Sequence, residues 1–187
     1  DRNHFHMDSL GNKDKSIESG ALTLLDSQTK ELSLQLSGFD NAMPFTTPRQ
    51  NPFFSMLLVR HGKGRAIRDG ADFSFGKKCL LCFSIYQPYT IVAEGDFDGV
   101  LLNFHPGFFC LFEHRHEVSC NGVLFNNLYD TPVVNLESGD WQTLMTVAGQ
   151  IKDELSQQEH PDKDILISFL KVILINASRI KMEQQRI

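Results

Sequence analysis

Short apolar segments separated by turn residues make up the chain as far as Leu136. Between Leu32 and Ser37, leucine alternates with serine and glutamine, which is typical of a strand with one buried face. Phe53–Val59 ends in residues that are apolar on both faces, and Lys78–Ser84 is apolar along most of its length. Both patterns predict strands that are buried from two sides. Further strands are predicted at Arg65–Ile67, Phe73–Phe75, Tyr89–Val92, Val100–His105 and Val133–Leu136. Such closely spaced strands predict an antiparallel barrel or sandwich. Asp69–Gly70 is a typical hairpin dipeptide, and one helical turn is predicted at Phe108–Phe112.

The hydrophobic period changes after Leu136. Apolar residues recur three and four positions apart from Trp141 to Leu155, which predicts an amphipathic helix over 138–157, capped by Ser138 or Asp140. Pro161 suits the first turn of a second helix that runs from about Asp162 to the end of the chain. The predicted organisation is therefore a polar arm over 1–20, a β-barrel over 21–136 and a helical hairpin over 137–187.

The apolar surface of the second helix is wider than one partner helix covers. Every residue of Ile165–Ile175 except Ser168 and Lys171 is apolar. We expect the surplus to form a homodimer or to pack on the chain's own barrel, and both alternatives stay open. Asn176 interrupts this apolar surface, and one polar residue at such a place can fix the register in which two helices pair. The predicted dimerisation residues are Leu166, Phe169, Ile173, Asn176 and Ile180.

Charge, hydropathy and cysteine content exclude several classes of function. The 18 basic and 23 acidic residues give a net charge of −5, which argues against this chain gripping nucleic acid by itself. The longest apolar run is shorter than the roughly 20 residues that cross a bilayer, so no membrane association is predicted. Four cysteines without framework spacing indicate a reducing cytoplasm. Cys79 and Cys82 lie three apart on one strand and point to opposite faces, which favours core packing over thiol chemistry.

Inward side chains of a small barrel either fill its lumen or frame a ligand cavity. Aromatic residues with polar tips suit a sugar-like or amphipathic effector, because the ring stacks and the hydroxyl forms hydrogen bonds. The strand pattern alone does not show which faces point inward, and these residues also suit a filled barrel without an effector. The candidate ligand-binding residues are Phe54, Met56, Tyr86, Tyr89, Asn103 and His105.

Two histidine pairs could hold a metal ion, but a pair on a chain terminus is more often incidental, and the second pair has no third ligand fixed nearby. His4 and His6 lie in the polar arm, and His114 and His116 lie in a charged turn. We predict neither a metal site nor a cofactor.

The order of segments resembles a known family. The segments are FFSMLLVRHGKGRAI, DFSFGKKCLLCFSIYQPYTI, GVLLNFHPGFF, LFNN and ILISFLKVILINASRIK. From about Leu22 onward they are similar to the amino-terminal domain of AraC-type transcription regulators. The resemblance implies a cupin barrel that binds a small-molecule effector, followed by a helix pair that forms a homodimer. It also implies that DNA is bound by a carboxy-terminal domain, for which this chain leaves no room, so we expect the sensory half of a longer regulator.

The alternative is a small cupin enzyme, metal-dependent or isomerase-like, acting on a small polar substrate. Metal-dependent cupins resemble one another in a motif with two His and a Glu, and in a second motif with one His. Anchoring the first motif on Gly62 puts Arg49, Asn51 and Ser55 at its ligand positions. The second motif puts Tyr89 at the remaining position. Because none of these is a good ligand for a divalent transition metal, the sequence favours a regulator without catalytic residues.

Overall fold

The computed structural model describes residues 20–111, 113, 123–125, 130–157 and 159–186. Most of the polar arm and the histidine pairs at His4–His6 and His114–His116 lie outside these residues. The strands are β1 (Leu22–Leu25), β2 (Leu32–Phe39), β3 (Phe54–His61), β4 (Gly64–Arg68), β5 (Ala71–Phe75), β6 (Cys79–Phe83), β7 (Tyr89–Ala93), β8 (Asp98–Phe104) and β9 (Val133–Asn135). The helices are α1 (Ser138–Leu155) and α2 (Lys163–Gln185).

The strands form two antiparallel sheets. The 6-stranded sheet has the order β1-β2-β8-β3-β6-β9, and the 3-stranded sheet has the order β5-β4-β7. An apolar core lies between them, with Leu57 and Leu81 from the large sheet and Ala66 and Ile91 from the small one. The predicted architecture, a mainly β antiparallel fold followed by a helical hairpin, is confirmed.

The large sheet is buried on both faces, which explains its continuous apolar segments. Leu57 and Val59 of β3 face the inner core between the sheets. Met56 and Leu58 of the same strand face an outer core that includes Leu144 and other residues of both helices. Successive side chains of a strand point to opposite faces, so the helical hairpin covers the outer face and the small sheet covers the inner face.

Two backbone features position these strands. Asp69 and Gly70 have φ of 52° and 77°, which is the left-handed pair of a type I′ turn between β4 and β5. At Gly99, an added Cβ would lie 1.9 Å from the carbonyl oxygen of Leu58, so only glycine allows β8 to approach β3 this closely. The predicted helical turn at Phe108–Phe112 is instead a non-helical turn over 106–108 in the described residues.

The helix starts differ slightly from prediction. The N-cap of α1 is Glu137 rather than Ser138 or Asp140, and its backbone N–H donates to Oδ2 of Asp140 at 3.2 Å. Asp162 caps α2, because its carboxylate accepts from the backbone N–H groups of Asp164 and Ile165. Among the described residues, no helix is long and apolar enough to cross a membrane.

Candidate functional site

Polar side chains form a row across the inner face of the large sheet. Gln35 of β2 pairs with Asn103 of β8, and Asn103 pairs with Ser55 of β3. All three lie on the same strand faces as inner-core residues such as Leu57 and Leu101. We call Gln35, Ser55, Asn103 and Tyr89 the polar row, since the phenol of Tyr89 interacts with the Ser55 side chain. Amide and hydroxyl groups therefore meet at one end of an otherwise apolar interior.

The amide of Asn103 is a buried hydrogen-bonding group of the polar row. Its Nδ2 donates to Oε1 of Gln35 at 3.1 Å, and the residue is 6% exposed. Among the described residues, no hydrogen-bond donor reaches its Oδ1. A buried acceptor without a donor costs about 1–3 kcal/mol, so a ligand that supplied a donor here would gain free energy.

Aromatic rings flank the polar row. The rings of Tyr89 and Phe83 stack with centroids 3.8 Å apart and planes at 3°, and Phe45 lies further along at 6.4 Å from Tyr89. Burial raises the pKa of Tyr89 to about 12, although the interaction with the Ser55 side chain opposes the rise. The phenol therefore stays neutral at physiological pH and can both donate and accept.

One buried cation adjoins the site from the small sheet. Arg68 of β4 lies directly opposite Tyr89 of β7 and is 4% exposed. Its Nη2 donates to the backbone oxygen of Asp130 at 2.6 Å, and its guanidinium carbon lies 5.1 Å from the ring centroid of Phe73. Burial lowers the pKa of Arg68. The site is thus a neutral hydrogen-bonding surface with a guanidinium at its border.

The structure separates the six predicted ligand-binding residues. Tyr89 and Asn103 belong to the polar row. Phe54 and Met56 lie on the other face of β3, in the outer core beneath the helices, because the face that looks inward carries Ser55 instead. They are therefore removed from the candidate site.

The remaining two predicted residues lie near the end of the barrel. His105 follows β8, its Nδ1 accepts from the backbone N–H of Gly107 at 2.9 Å, and its ring lies 6.3 Å from Phe53. Tyr86 lies in the turn between β6 and β7, is 60% exposed and has φ of 53°. A left-handed backbone is uncommon for a bulky residue, and it holds this ring outward.

The sequence did not lead us to propose Gln35 as a site residue, it favoured a solvated hairpin for the basic group that contains Arg68, and it presented Ser55 only as a failed metal ligand. A signal for Gln35 was present, since the serines and glutamine between Leu32 and Ser37 were assumed to face solvent. In the structure the leucines Leu34 and Leu36 face the helices, so the polar face of β2 turns toward the barrel interior. Nothing in the local sequence distinguishes Arg68 from Arg65, the other arginine of the same strand.

The residues of the site are poor metal ligands. Of the described residues, no three His, Cys, Asp or Glu side chains are grouped so that they could hold a metal ion. Ser55 and Tyr89, which occupy two positions aligned with cupin ligands, contact each other instead. Cys79 belongs to the inner core and Cys82 to the outer core, and burial raises the pKa of each thiol to about 12. The two cysteines therefore pack as core residues on opposite faces.

Helix α2 presents two apolar faces. Leu166 and Ile173, which were predicted to lie in an interface, are 0% and 1% exposed and pack within the chain. Ile165 and Val172 are 41% and 40% exposed. Together with the half-buried members of the predicted stripe they form what we call the outer stripe, which comprises Ile165, Phe169, Val172, Asn176 and Ile180. An interface on α2 would thus lie on a face rotated away from the predicted one.

Solved structures similar to this chain include a regulator, a cupin and an enzyme. The AraC-like transcriptional activator CuxR superposes with a TM-score of 0.48 and 11% identity, over 79% of this chain and 49% of that chain. A Cupin 2 conserved barrel domain protein from Salinispora arenicola has a TM-score of 0.38 and 13% identity, over 58% of this chain and 100% of its own. Salicylate 1,2-dioxygenase from Pseudoaminobacter salicylatoxidans has a TM-score of 0.37 and 19% identity, over 49% and 26%.

These neighbours include an AraC-like regulator and a cupin, the two classes that the sequence resembles. This chain spans about half the length of the AraC-like activator. No protein-family model matches the sequence, and the curated proteins contain no significant match.

Proposed function

We propose that this chain is the sensory half of a cytoplasmic AraC-type transcription regulator, which binds a small effector in its barrel and dimerises through α2. The observation that carries the proposal is the enclosed polar row beside the stacked rings of Phe83 and Tyr89. Hydrogen-bonding groups are uncommon inside a barrel that is only a structural core, because each must be satisfied when buried.

The chemistry of the polar row supports a neutral, hydroxylated effector. Its members are two amides, a hydroxyl and a phenol with a raised pKa, so all of them are uncharged at physiological pH. Amide and hydroxyl groups recognise sugar or polyol hydroxyls by donating and accepting together. The stacked pair of Phe83 and Tyr89 supplies an apolar wall of the kind on which a sugar ring packs.

The outer stripe supports dimerisation with a second copy of this chain. Ile165 and Val172 are exposed and apolar, while the outer face of α1 carries exposed polar residues such as Gln142 and Gln150. A two-fold axis beside α2 would bury the stripe in both copies at once. In the proposed regulator, this pairing would space two DNA-binding domains along a promoter, since the net charge of −5 leaves this chain poorly suited to bind DNA itself.

A metal-dependent cupin enzyme would need ligands that the candidate site does not offer. The polar row consists of amide, hydroxyl and phenol side chains, and such neutral groups bind transition metals weakly. The proposal therefore assigns the barrel to ligand binding without catalysis. Stoichiometric iron, manganese or zinc in purified protein, lost on Tyr89→Phe substitution, would favour the enzyme instead.

A thermal-shift screen tests the effector assignment. The probes are neutral monosaccharides and sugar alcohols at millimolar concentration, with aliphatic carboxylates as the contrasting set. A compound present at 100 times its Kd adds about 2.7 kcal/mol to stability, which raises the Tm of a chain of this size by about 5–10 °C. Tyr89→Phe should weaken this response, whereas Val92→Ala, on the outer face of the same strand, should not. Stabilisation by carboxylates alone would contradict a neutral effector.

A further inference from the structure

A second polar cluster connects the candidate effector site to the end of helix α2. Asp130, which lies just before β9, is the central residue of this cluster. Its backbone oxygen accepts from Nη2 of Arg68 at 2.6 Å, and its Oδ2 lies 3.3 Å from Nζ of Lys181. The side-chain amide of Gln185 also donates to this carboxylate. One residue therefore contacts both the small sheet and the last turns of α2.

Lys181 is held firmly within this cluster. Its side chain is 4% exposed, and its Nζ donates to the backbone oxygen of Thr131 at 2.9 Å. A buried ammonium needs such partners, because removing one of them leaves an uncompensated charge in a poorly polar environment. The position of the last turns of α2 thus depends on where Asp130 and Thr131 lie.

The neighbouring residues reinforce the same attachment. Gln184 exchanges two hydrogen bonds with the backbone of Asn135, one donated by its amide and one accepted from the backbone N–H. The segment 130–135 in turn joins the large sheet, where β9 pairs with β6. The carboxy-terminal turns of α2 are therefore fastened by polar contacts to one short segment rather than by apolar packing alone.

Arg68 makes this cluster sensitive to the candidate site. It lies directly opposite Tyr89 in the pairing of β4 with β7, and directly opposed residues on one face are within contact distance of each other. A ligand that packs against Tyr89 would therefore lie next to the strand position of Arg68, whose guanidinium donates to Asp130. A shift of that guanidinium changes the support of Asp130 and, through it, that of Lys181.

We propose that Asp130 couples the candidate effector site to the last turns of α2, with Arg68 as its contact on the barrel side and Lys181 as its contact on the helix side. The inference rests on the proposed function, since it names how a bound effector would alter the dimerisation helix. The device needs no direct contact between effector and helix. It is a set of three residues, joined through the backbone oxygen and the carboxylate of Asp130, and a change at either end can shift their arrangement.

Amide hydrogen exchange of the unliganded protein tests the coupling. Arg68→Met removes the guanidinium that supports Asp130 from the barrel side. We expect it to accelerate exchange at amides 181–185 by at least about fivefold, which corresponds to the loss of one net hydrogen bond. Asp130→Asn should do the same, and the double variant should exchange no faster than the faster single variant, because both substitutions break one connection. The matched control is Arg65→Met, which removes an exposed cation of β4, the strand that also carries Arg68. Arg65 pairs with Asp72 of β5, and its loss should leave α2 unchanged.

Normal exchange at amides 181–185 in Arg68→Met, with acceleration in Asp130→Asn, would overturn the coupling and leave Asp130 a local support of the helix. If Arg68→Met accelerates exchange throughout the chain, Arg68→Lys decides, since it keeps the charge without the guanidinium fork. Acceleration confined to 181–185 in that variant supports the coupling, and uniform acceleration contradicts it. The experiment uses no effector, so its failure is distinguishable from a failed ligand screen or a monomeric protein.

Discussion

Removing the phenol oxygen of Tyr89 tests whether the polar row is held together as described. In Tyr89→Phe the ring remains, so its stacking on Phe83 at 3.8 Å is kept. What is lost is the interaction of the phenol oxygen with Ser55, a residue that is 1% exposed. The perturbation therefore isolates one polar contact inside the barrel.

The expected cost follows from burial. Leaving the enclosed hydroxyl of Ser55 without its partner should lower the free energy of unfolding by about 1–2 kcal/mol. Ser55→Ala should cost about 1 kcal/mol, because the half-buried phenol of Tyr89 can recover a water molecule. The double variant should cost little more than Tyr89→Phe alone, which corresponds to a coupling energy of about 1 kcal/mol.

Urea unfolding of the four proteins, followed by circular dichroism, measures this coupling. Tyr86→Phe is the matched control, since this phenol is 60% exposed and its loss should change stability by less than about 0.5 kcal/mol. Strictly additive costs for Tyr89→Phe and Ser55→Ala, or an equal cost for Tyr86→Phe, would refute the enclosed polar interaction between Tyr89 and Ser55 and with it the polar row.

Two further predictions concern pH and backbone packing. The free energy of unfolding should fall between about pH 9 and 12 in a pH series of urea titrations. The reason is that Cys79, Cys82 and Tyr89 keep their protons in the folded state up to pKa values of about 12, whereas the unfolded state releases them at lower pH. Tyr89→Phe should make this decline less steep above about pH 10, and an unchanged slope would contradict the raised pKa of Tyr89. Gly99→Ala should lower stability by about 2–3 kcal/mol, because its Cβ would lie 1.9 Å from a carbonyl oxygen of β3. Gly139→Ala, which meets nothing within 4 Å, should cause no loss, and equal effects of the two would argue against the close approach.

The strands could be predicted from the sequence because their signals are local. Apolar blocks and turn residues placed β3, β6 and β7 within a few residues of their observed bounds. Inside and outside could not be assigned in the same way. Both faces of β3 are largely apolar, so the sequence contains no contrast between Met56, which packs under the helices, and Leu57, which faces the small sheet.

Long-range packing decides the remaining features of the site. The polar face of β2 points inward only because the helices cover its leucine face, which no local pattern reveals. Most faces of α2 carry apolar residues, so buried Ile173 and exposed Val172 are indistinguishable by type. The contact of Asp130 with Lys181 joins segments far apart in sequence, and its partners could not be paired from spacing.

Sedimentation equilibrium tests most directly whether this chain dimerises through α2 as a regulator's sensory half should. At about 50 µM, well above a Kd of about 1 µM, the wild-type chain should be a dimer. Val172→Asp, which places a charge on the exposed stripe, should be a folded monomer, whereas Gln150→Asp on the polar face of α1 should remain a dimer. Ile173→Asp is unsuitable because Ile173 is 1% exposed and a buried charge would unfold the chain. A wild-type monomer at this concentration, or a dimer that Val172→Asp leaves intact, would contradict the proposed interface.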